Sequence, residues 1–139
     1  MFAAYVKCDA RPEPGERIED DLLIRADKNP NSAGARALYG DAPERLPEGT
    51  DLVLVLGEGC DFGALPRGAR VIFLNAYLAP ENGHAEVFLP TSIQTERGGH
   101  YTNFRGVVSE FQPCFDKAGG AVDAADLFKA LAAPARVHA

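Results

Sequence analysis

The chain has 139 residues, enough to bury one core, with 14 basic and 20 acidic side chains and a formal net charge of −6. The basic residues are scattered, which excludes the clustered Lys and Arg of a nucleic-acid-binding surface. We therefore expect a single domain over residues 1–139 whose partner is a protein or a small molecule.

The N-terminal third of the sequence predicts one helix and two short apolar segments. Residues 2–6 are apolar enough for a strand, and residues 22–24 form a second brief apolar run. Asn31 or Ser32 can cap a helix that runs to Tyr39, and the glycine that follows supplies a left-handed stop.

Three apolar runs predict the strands of a parallel sheet. Residues 52–56, 71–74 and 87–89 read LVLVL, VIFL and VFL, without the polar alternation of a half-exposed strand. Such runs are typical of strands covered on both faces. Glycines and prolines between the first two strands leave room only for a helical turn at residues 61–65.

The carboxyl ends of these strands should share one edge of the sheet. The strands end near Gly57, Asn75 and Pro90, and Pro90 marks an exit because it cannot donate to a ladder. Ligands of parallel α/β folds usually bind at such an edge, so we expect a candidate site there.

A second helix is predicted near the C-terminus. Asp123 can cap it, and Asp126 lies in its first turn, where the helix dipole favours an acid. Its apolar stripe consists of Leu127, Phe128 and Leu131. A proline ends the helix at Ala133. Strands interleaved with short helices predict an α/β fold with a mostly parallel sheet and long ordered loops.

Polar residues and glycines follow the third strand. Gly98 and Gly99 permit positive φ and a tight reversal, while Glu96, Thr102 and Asn103 can bond the backbone groups that the reversal exposes. The loop has two interpretations: it holds its own shape, or it presents these groups to a cofactor or a neighbouring subunit. These five residues are the candidate cofactor-binding residues.

The loop resembles that of the molybdopterin oxidoreductase superfamily. Residues 87–90 (VFLP) match its Val-hydrophobic-Leu-Pro strand end, preceded by Glu86 where Asp is common. The loop residues that match are Glu96, Gly99, Thr102, Asn103 and Gly106. The closer similarity is to the large iron–sulfur subunit of bacterial NADH:quinone oxidoreductase, respiratory complex I. The resemblance extends over about residues 27–111.

One departure from the family limits what the resemblance carries over. Arg105-Gly106-Val107 stands where the family commonly has Glu-Gly-Arg, so an acid before the glycine and a base after it are missing. Any role of those two groups in cofactor binding or in an ion pair is not transferred to this chain.

The resemblance implies a non-catalytic piece of a larger protein. It implies a Rossmann-like, molybdopterin-oxidoreductase-type domain, internal or C-terminal in the parent subunit, in which the fold is kept without the pterin cofactor. Iron–sulfur clusters are expected elsewhere in that subunit, because their closely spaced cysteines are missing here. The implied partners are the rest of the parent subunit or other peripheral-arm subunits. The implied location is the cytoplasm, or the cytoplasmic face of the inner membrane through the complex, without direct insertion.

Two alternatives remain open. The first is a fragment of a true molybdopterin oxidoreductase, such as a formate dehydrogenase, in which the loop at residues 96–103 helps to enclose the pterin. The second is a standalone nucleotide-binding α/β module. Against the second, Gly57-Glu58-Gly59 lacks the third glycine of a dinucleotide loop and the Lys of a P-loop, and its acid repels an anion.

Cysteines and histidines give weak signals. Cys8, Cys60 and Cys114 form no C-x-x-C pair, and the histidines, at 84, 100 and 138, add no zinc-ligand spacing. Cys60 follows a strand and precedes a possible helix, an arrangement that can activate a thiol, although the neighbouring acids disfavour a thiolate. We expect no metal site, no catalytic residue and no independent enzymatic activity.

Overall fold

The protein is a small α/β domain with a three-stranded parallel sheet, a two-stranded antiparallel sheet and two α-helices among its described residues. The computed structural model describes residues 15, 19–20, 22, 26–27, 29–41, 43 and 45–132. The strand expected at 2–6, most of the apolar run 22–24 and the proline stop of the last helix lie outside the described residues.

The chain divides into two compact units. One contains Met1–Glu44 and Gly99–Phe111, and we call it the hairpin unit after its antiparallel pair of strands. The other contains Arg45–Gly98 and Gln112–Ala139, and we call it the sheet unit after its parallel sheet. Each unit is therefore built from two separate stretches of sequence.

The three predicted strands form the sheet of the sheet unit. Strands β1 (Leu52–Leu56), β2 (Arg70–Asn75) and β3 (Val87–Pro90) are parallel and lie in the order β1-β2-β3. The prediction that all three strands are covered on both faces is wrong for the two outer strands. Leu52 and Leu56 in β1 are 47% and 51% exposed, and Val87 in β3 is 40% exposed. Among the described strands, β1 and β3 each have only β2 beside them.

The core of the sheet unit is centred on β2. Phe73 and Leu74 are almost completely buried, and because neighbouring strand residues point to opposite faces, they fill both sides of the sheet. The ring of Phe73 lies edge-on to the rings of Phe62 and Phe88, at centroid distances of 5.3 and 6.1 Å. Burying each of these two β2 side chains contributes about 1.5–3 kcal/mol.

Short turns connect the strands. The turn predicted at residues 61–65 is a 3-10 helix at Phe62–Ala64, and Asp61 accepts a hydrogen bond from the Gly63 N–H at 3.0 Å through its carboxylate. A second 3-10 helix, Pro80–His84, connects β2 to β3. Connections this short keep consecutive parallel strands adjacent.

The C-terminal helix of the sheet unit begins where the sequence predicted. Helix α2 spans Ala124–Ala132, and the Asp123 carboxylate caps it by accepting the Ala125 N–H at 2.8 Å. Val122, just before the helix, pairs with Thr91 beyond the end of β3. In the predicted apolar stripe Leu127 and Phe128 are half-buried, whereas Leu131 is exposed.

The hairpin unit contains helix α1 (Ser32–Tyr39) and strands β4 (Gly99–Thr102) and β5 (Val108–Phe111). The predicted end of α1 is confirmed: Gly40 has φ +73° and donates its N–H to the Arg36 carbonyl at 2.8 Å. The expected cap is wrong. Ser32 is the first helical residue, and the Asn31 side chain does not cap the helix. Instead, its Oδ1 accepts the Thr102 N–H at 2.7 Å.

Polar side chains hold the turn before α1 together. Asp27 accepts the Asn29 N–H at 2.9 Å and lies 3.5 Å from the Arg36 guanidinium. Burial alone would raise the pKa of the Asp27 carboxyl, but hydrogen bonds from Ser32 and Asn29, together with the Arg36 charge, outweigh it and lower the pKa. The carboxylate therefore stabilises this turn in its ionised form.

Gly34 allows α1 to approach β4 closely. A Cβ at this position would lie 2.6 Å from Asn31 Oδ1 and 2.9 Å from Thr102 Oγ1. We predict that Gly34→Ala lowers the free energy of unfolding by about 1–3 kcal/mol through overpacking, measured by urea denaturation.

The control for this substitution is Gly83→Ala, because a Cβ at Gly83 meets no atom within 4 Å. Its stability should stay within about 0.5 kcal/mol of the parent. Without the close approach, Gly34→Ala should stabilise the protein by about 1 kcal/mol, because Ala is favoured over Gly within a helix. A stabilisation of that size would therefore rule out the close approach.

Candidate functional site

The carboxyl ends of the three parallel strands meet at one edge of the sheet, which confirms the prediction for Gly57, Asn75 and Pro90. The Gly57 N–H donates to the Leu74 carbonyl at 2.9 Å, and Asn75 lies opposite Pro90 in the register of β2 and β3. The chain continues from β3 into Thr91, whose N–H donates to the Asn75 carbonyl at 3.0 Å. This edge is the candidate site of the sheet unit.

Buried polar side chains lie at this edge. Asn75, Thr91 and Ser92 are all more than nine-tenths buried. Asn75 Oδ1 accepts the Ala76 N–H at 2.8 Å, whereas the Ser92 hydroxyl is buried without a hydrogen-bond partner, as are both polar side-chain atoms of Asn82 in the 3-10 helix Pro80–His84. Sequence reasoning did not single out Ser92 or Asn82. The available signal for Ser92 was its place two residues beyond the end of the apolar strand β3.

The loop after β1 does not contain the helix considered for Cys60. The residues that follow form only the three-residue 3-10 helix Phe62–Ala64, and one of its N–H groups is already bonded by Asp61. A macrodipole large enough to activate a thiol needs a longer helix. Gly57 and Gly59 both have φ +84°, so glycine is required for the conformation of this loop.

Glu96 holds its own loop together. Its Oε2 accepts the Ile93 N–H at 3.1 Å, and its Oε1 accepts the Ala118 N–H at 3.2 Å. The carbonyl of the preceding Thr95 accepts the Cys114 N–H at 2.8 Å. The carboxylate therefore ties the 3-10 helix Gln94–Glu96 to the later segment around residues 114–118. The expected backbone-bonding role of Glu96 is confirmed.

The expected reversal at Gly98 and Gly99 is wrong. Neither is among the glycines with positive φ, and Gly99 is the first residue of β4. The chain reverses further on, between β4 and β5, where Gly106 has φ +78°. Gly99 instead lies close to an aromatic ring: a Cβ there would crowd Cζ of Phe111 at 3.2 Å, and the Phe111 ring packs on Tyr101 at 4.5 Å between centroids.

Asn103 builds the reversal between β4 and β5. Its Oδ1 accepts the N–H groups of Arg105 at 2.9 Å and Val107 at 3.0 Å, and its backbone N–H donates to the Val107 carbonyl at 2.9 Å. The expected bonds to loop backbone are confirmed, and they lie at an exposed position. Thr102 contributes its backbone N–H, which donates to Asn31.

The candidate residues are divided between the two units. Glu96 and Gly98 belong to the sheet unit, whereas Gly99, Thr102 and Asn103 belong to the hairpin unit. The structure adds Asn31 and Gly34, which sequence reasoning missed as partners of Thr102. The Glu96 carboxylate in the sheet unit and the Asn103 side-chain oxygen in the hairpin unit both accept hydrogen bonds from backbone N–H groups.

Glu86, the acidic residue before β3, forms an ion pair with Arg70. Arg70 donates two hydrogen bonds to the Glu86 carboxylate, from Nε and from Nη2, both at 2.8 Å. These bonds lower the pKa of Glu86. The pair joins the start of β2 to the residue before β3 at a solvent-exposed position, where it fixes register more than it adds stability.

His84 stacks on Phe62 with ring centroids 5.2 Å apart, and His100 lies exposed on β4. His84 also borders a cavity of about 290 Å³, whose other lining residues are Phe62, Gly63, Leu65, Pro66, Arg67, Ala69 and Val71.

The residues that the structure describes contain no group of three metal-ligating side chains and no helix long and apolar enough to cross a membrane. His138 lies outside these residues.

Comparisons with protein-family models, with curated proteins and with solved structures find no match to this chain.

The space requirement at Gly99 predicts the effect of a larger side chain. Gly99→Val should lower the free energy of unfolding by about 1–3 kcal/mol, because its Cβ and methyl groups meet the Phe111 ring. The measurement is urea denaturation of the single variants and of the double variant Gly99→Val/Phe111→Leu. The smaller side chain at 111 should relieve part of the loss, so the double variant should be more stable than the sum of the two changes predicts. Strict additivity would show that Phe111 is not the cause.

The two acceptor bonds of Asn103 predict a loss on truncation. Asn103→Ala should lower the free energy of unfolding by about 0.5–1.5 kcal/mol, since two backbone N–H groups lose their side-chain acceptor at an exposed turn. Asn103→Asp keeps an acceptor at the same position and is the matched control. Equal losses in both variants, measured by thermal unfolding, would contradict this role for the oxygen.

Proposed function

We propose that this chain is a non-catalytic structural and interaction domain of a peripheral-arm subunit of NADH:quinone oxidoreductase, respiratory complex I, without a redox centre of its own. Its fold is Rossmann-like, of the molybdopterin oxidoreductase type. Its partners are the rest of the parent subunit or other peripheral-arm subunits. The proposal places it in the cytoplasm or on the cytoplasmic face of the inner membrane.

The hydrogen bonds accepted by the loop side chains Glu96 and Asn103 support the proposal. Both carboxylate oxygens of Glu96 accept N–H groups from the protein's own backbone, and the Asn103 oxygen accepts two more. A ligand that needed these oxygens would have to break bonds that define the loops. The loop residues that carry the resemblance therefore serve as a scaffold.

Exposed apolar side chains support an interaction role. Several large apolar side chains are more than half exposed within each unit. In the sheet unit they include Tyr77, Leu78, Phe115 and Leu131, and in the hairpin unit Leu38, Phe104 and Val108. Single exposed apolar residues are ordinary, but this number in a small chain fits a protein that buries surface against partners.

One observation favours the second candidate, a fragment of a true molybdopterin oxidoreductase. The Ser92 hydroxyl is buried and unpaired beside the carboxyl edge of the sheet, and a buried unpaired hydroxyl costs about 1–3 kcal/mol. A polar cofactor group at this edge would satisfy it. The two candidates therefore differ in whether a pterin is bound.

Metal and pterin content separates the two candidates. The full chain should be purified from a host that makes both complex I and molybdopterin enzymes. Elemental analysis should then find no stoichiometric molybdenum or tungsten, oxidised extracts should lack pterin fluorescence, and complex I peripheral-arm subunits should co-purify. One metal atom per chain together with pterin would establish the second candidate instead. Purification free of any complex I subunit would also sink the proposal.

A further inference from the structure

Strand β1 has the composition of an interior strand but lies at an edge of the sheet. Its sequence, LVLVL, contains no polar residue, which is typical of a strand with neighbours on both sides. Among the described residues only β2 pairs with it. Leu52 and Leu56 are consequently about half exposed.

On the side of β1 away from β2, alternate residues direct their backbone groups toward the edge of the sheet that the described strands form. Asp51 accepts the Arg70 N–H at 2.8 Å, and Gly57 donates to the Leu74 carbonyl at 2.9 Å, so these two residues face β2. Alternate residues of a parallel strand bond the same neighbour. Among the described residues, Leu52, Leu54 and Leu56 therefore direct their N–H and C=O groups away from β2, toward the open edge.

Within the described residues, β1 itself carries no side chain and no backbone irregularity that blocks strand addition. The strand has no proline, charge or bulge, and its register with β2 is unbroken over five residue pairs. The opposite edge differs. There β3 ends at Pro90, and the chain beyond it is paired, since Thr91 bridges to Val122. Of the two edges formed by the described strands, the β1 edge is the one left available.

The charges that flank β1 indicate what binds there. Asp51 and Glu58 are exposed at its two ends. A second copy paired antiparallel about Leu54 would bring Asp51 of each copy opposite Gly57 of the other, one residue from its Glu58, and like charges this close repel each other. A basic residue at each end of the incoming strand would instead pair with these acids.

We propose that the free edge of β1 binds, by strand addition, an extended aliphatic segment of a partner polypeptide that is flanked by basic residues. The added strand bonds the N–H and C=O groups of Leu52, Leu54 and Leu56 and covers the exposed leucine side chains. This inference rests on the proposed role as an interaction domain, and it identifies one surface through which that role is exercised.

The test uses a peptide of five alternating valines and leucines with two lysines at each end, added to the full chain. We expect saturable binding by fluorescence anisotropy and, by hydrogen exchange, at least about tenfold slower exchange of the Leu52, Leu54 and Leu56 amides. A peptide with glutamates in place of the lysines should bind at least about tenfold more weakly.

Matched variants locate the binding surface. Leu52→Lys/Leu56→Lys should weaken binding of the lysine-flanked peptide at least about tenfold, whereas Leu78→Lys/Leu131→Lys adds the same charge at exposed leucines elsewhere and should bind within about twofold of the parent. If the first variant fails to fold, the amide protection in the unmodified chain decides alone.

Several results would overturn the inference: no binding at about 1 mM peptide, binding that leaves the three amides unprotected, amides already protected without peptide, or equal binding of the glutamate-flanked peptide. Dimerisation by sedimentation that the β1 variant abolishes would assign the edge to a second copy instead. Molybdenum in the purified protein would overturn the proposed role but leave the peptide result standing, so the two failures are distinguishable.

Discussion

The burial of β2 is the constraint on which the sheet unit depends. Phe73 and Leu74 point to opposite faces and are both almost fully buried, so each face needs a cover and each side of β2 needs a hydrogen-bonding neighbour. The neighbours are β1 and β3, and the 3-10 helix at Phe62–Ala64 places the Phe62 ring against Phe73. Because all three strands are parallel, their carboxyl ends must share an edge, which creates the candidate site with its buried polar residues.

Much of this arrangement can be predicted from local sequence. The strand runs, the Asp123 cap of α2 and the glycine stop of α1 each depend on residues close together in the chain, and each is found where expected. What cannot be predicted depends on distant partners. Asn31 reads locally as a helix cap, yet its oxygen bonds Thr102, 71 residues away. Composition also cannot reveal that β1 lies at an edge, since strand order is a property of the whole sheet.

The glycines of the loop illustrate a second limit. Gly98 and Gly99 read as a turn because adjacent glycines permit positive φ, but glycine also suits positions where a Cβ would crowd a neighbour. Only the packing of Phe111 distinguishes the two reasons at Gly99. The turn itself is formed by Asn103 and Gly106, a pair that the sequence also contained. Local chemistry named the right residue types and assigned the reversal to the wrong glycines.

The polar loop and the edge strand β1 direct their hydrogen-bonding groups differently. The loop that looked most like a ligand site has its acceptors directed inward: Glu96 and Asn103 bond backbone N–H groups of their own units. The apolar strand β1, which carries no polar side chain at all, directs the backbone groups of three leucines outward. Among the described residues, the groups directed outward are therefore those of a strand backbone rather than those of the polar loop side chains. The proposed strand addition uses these backbone groups.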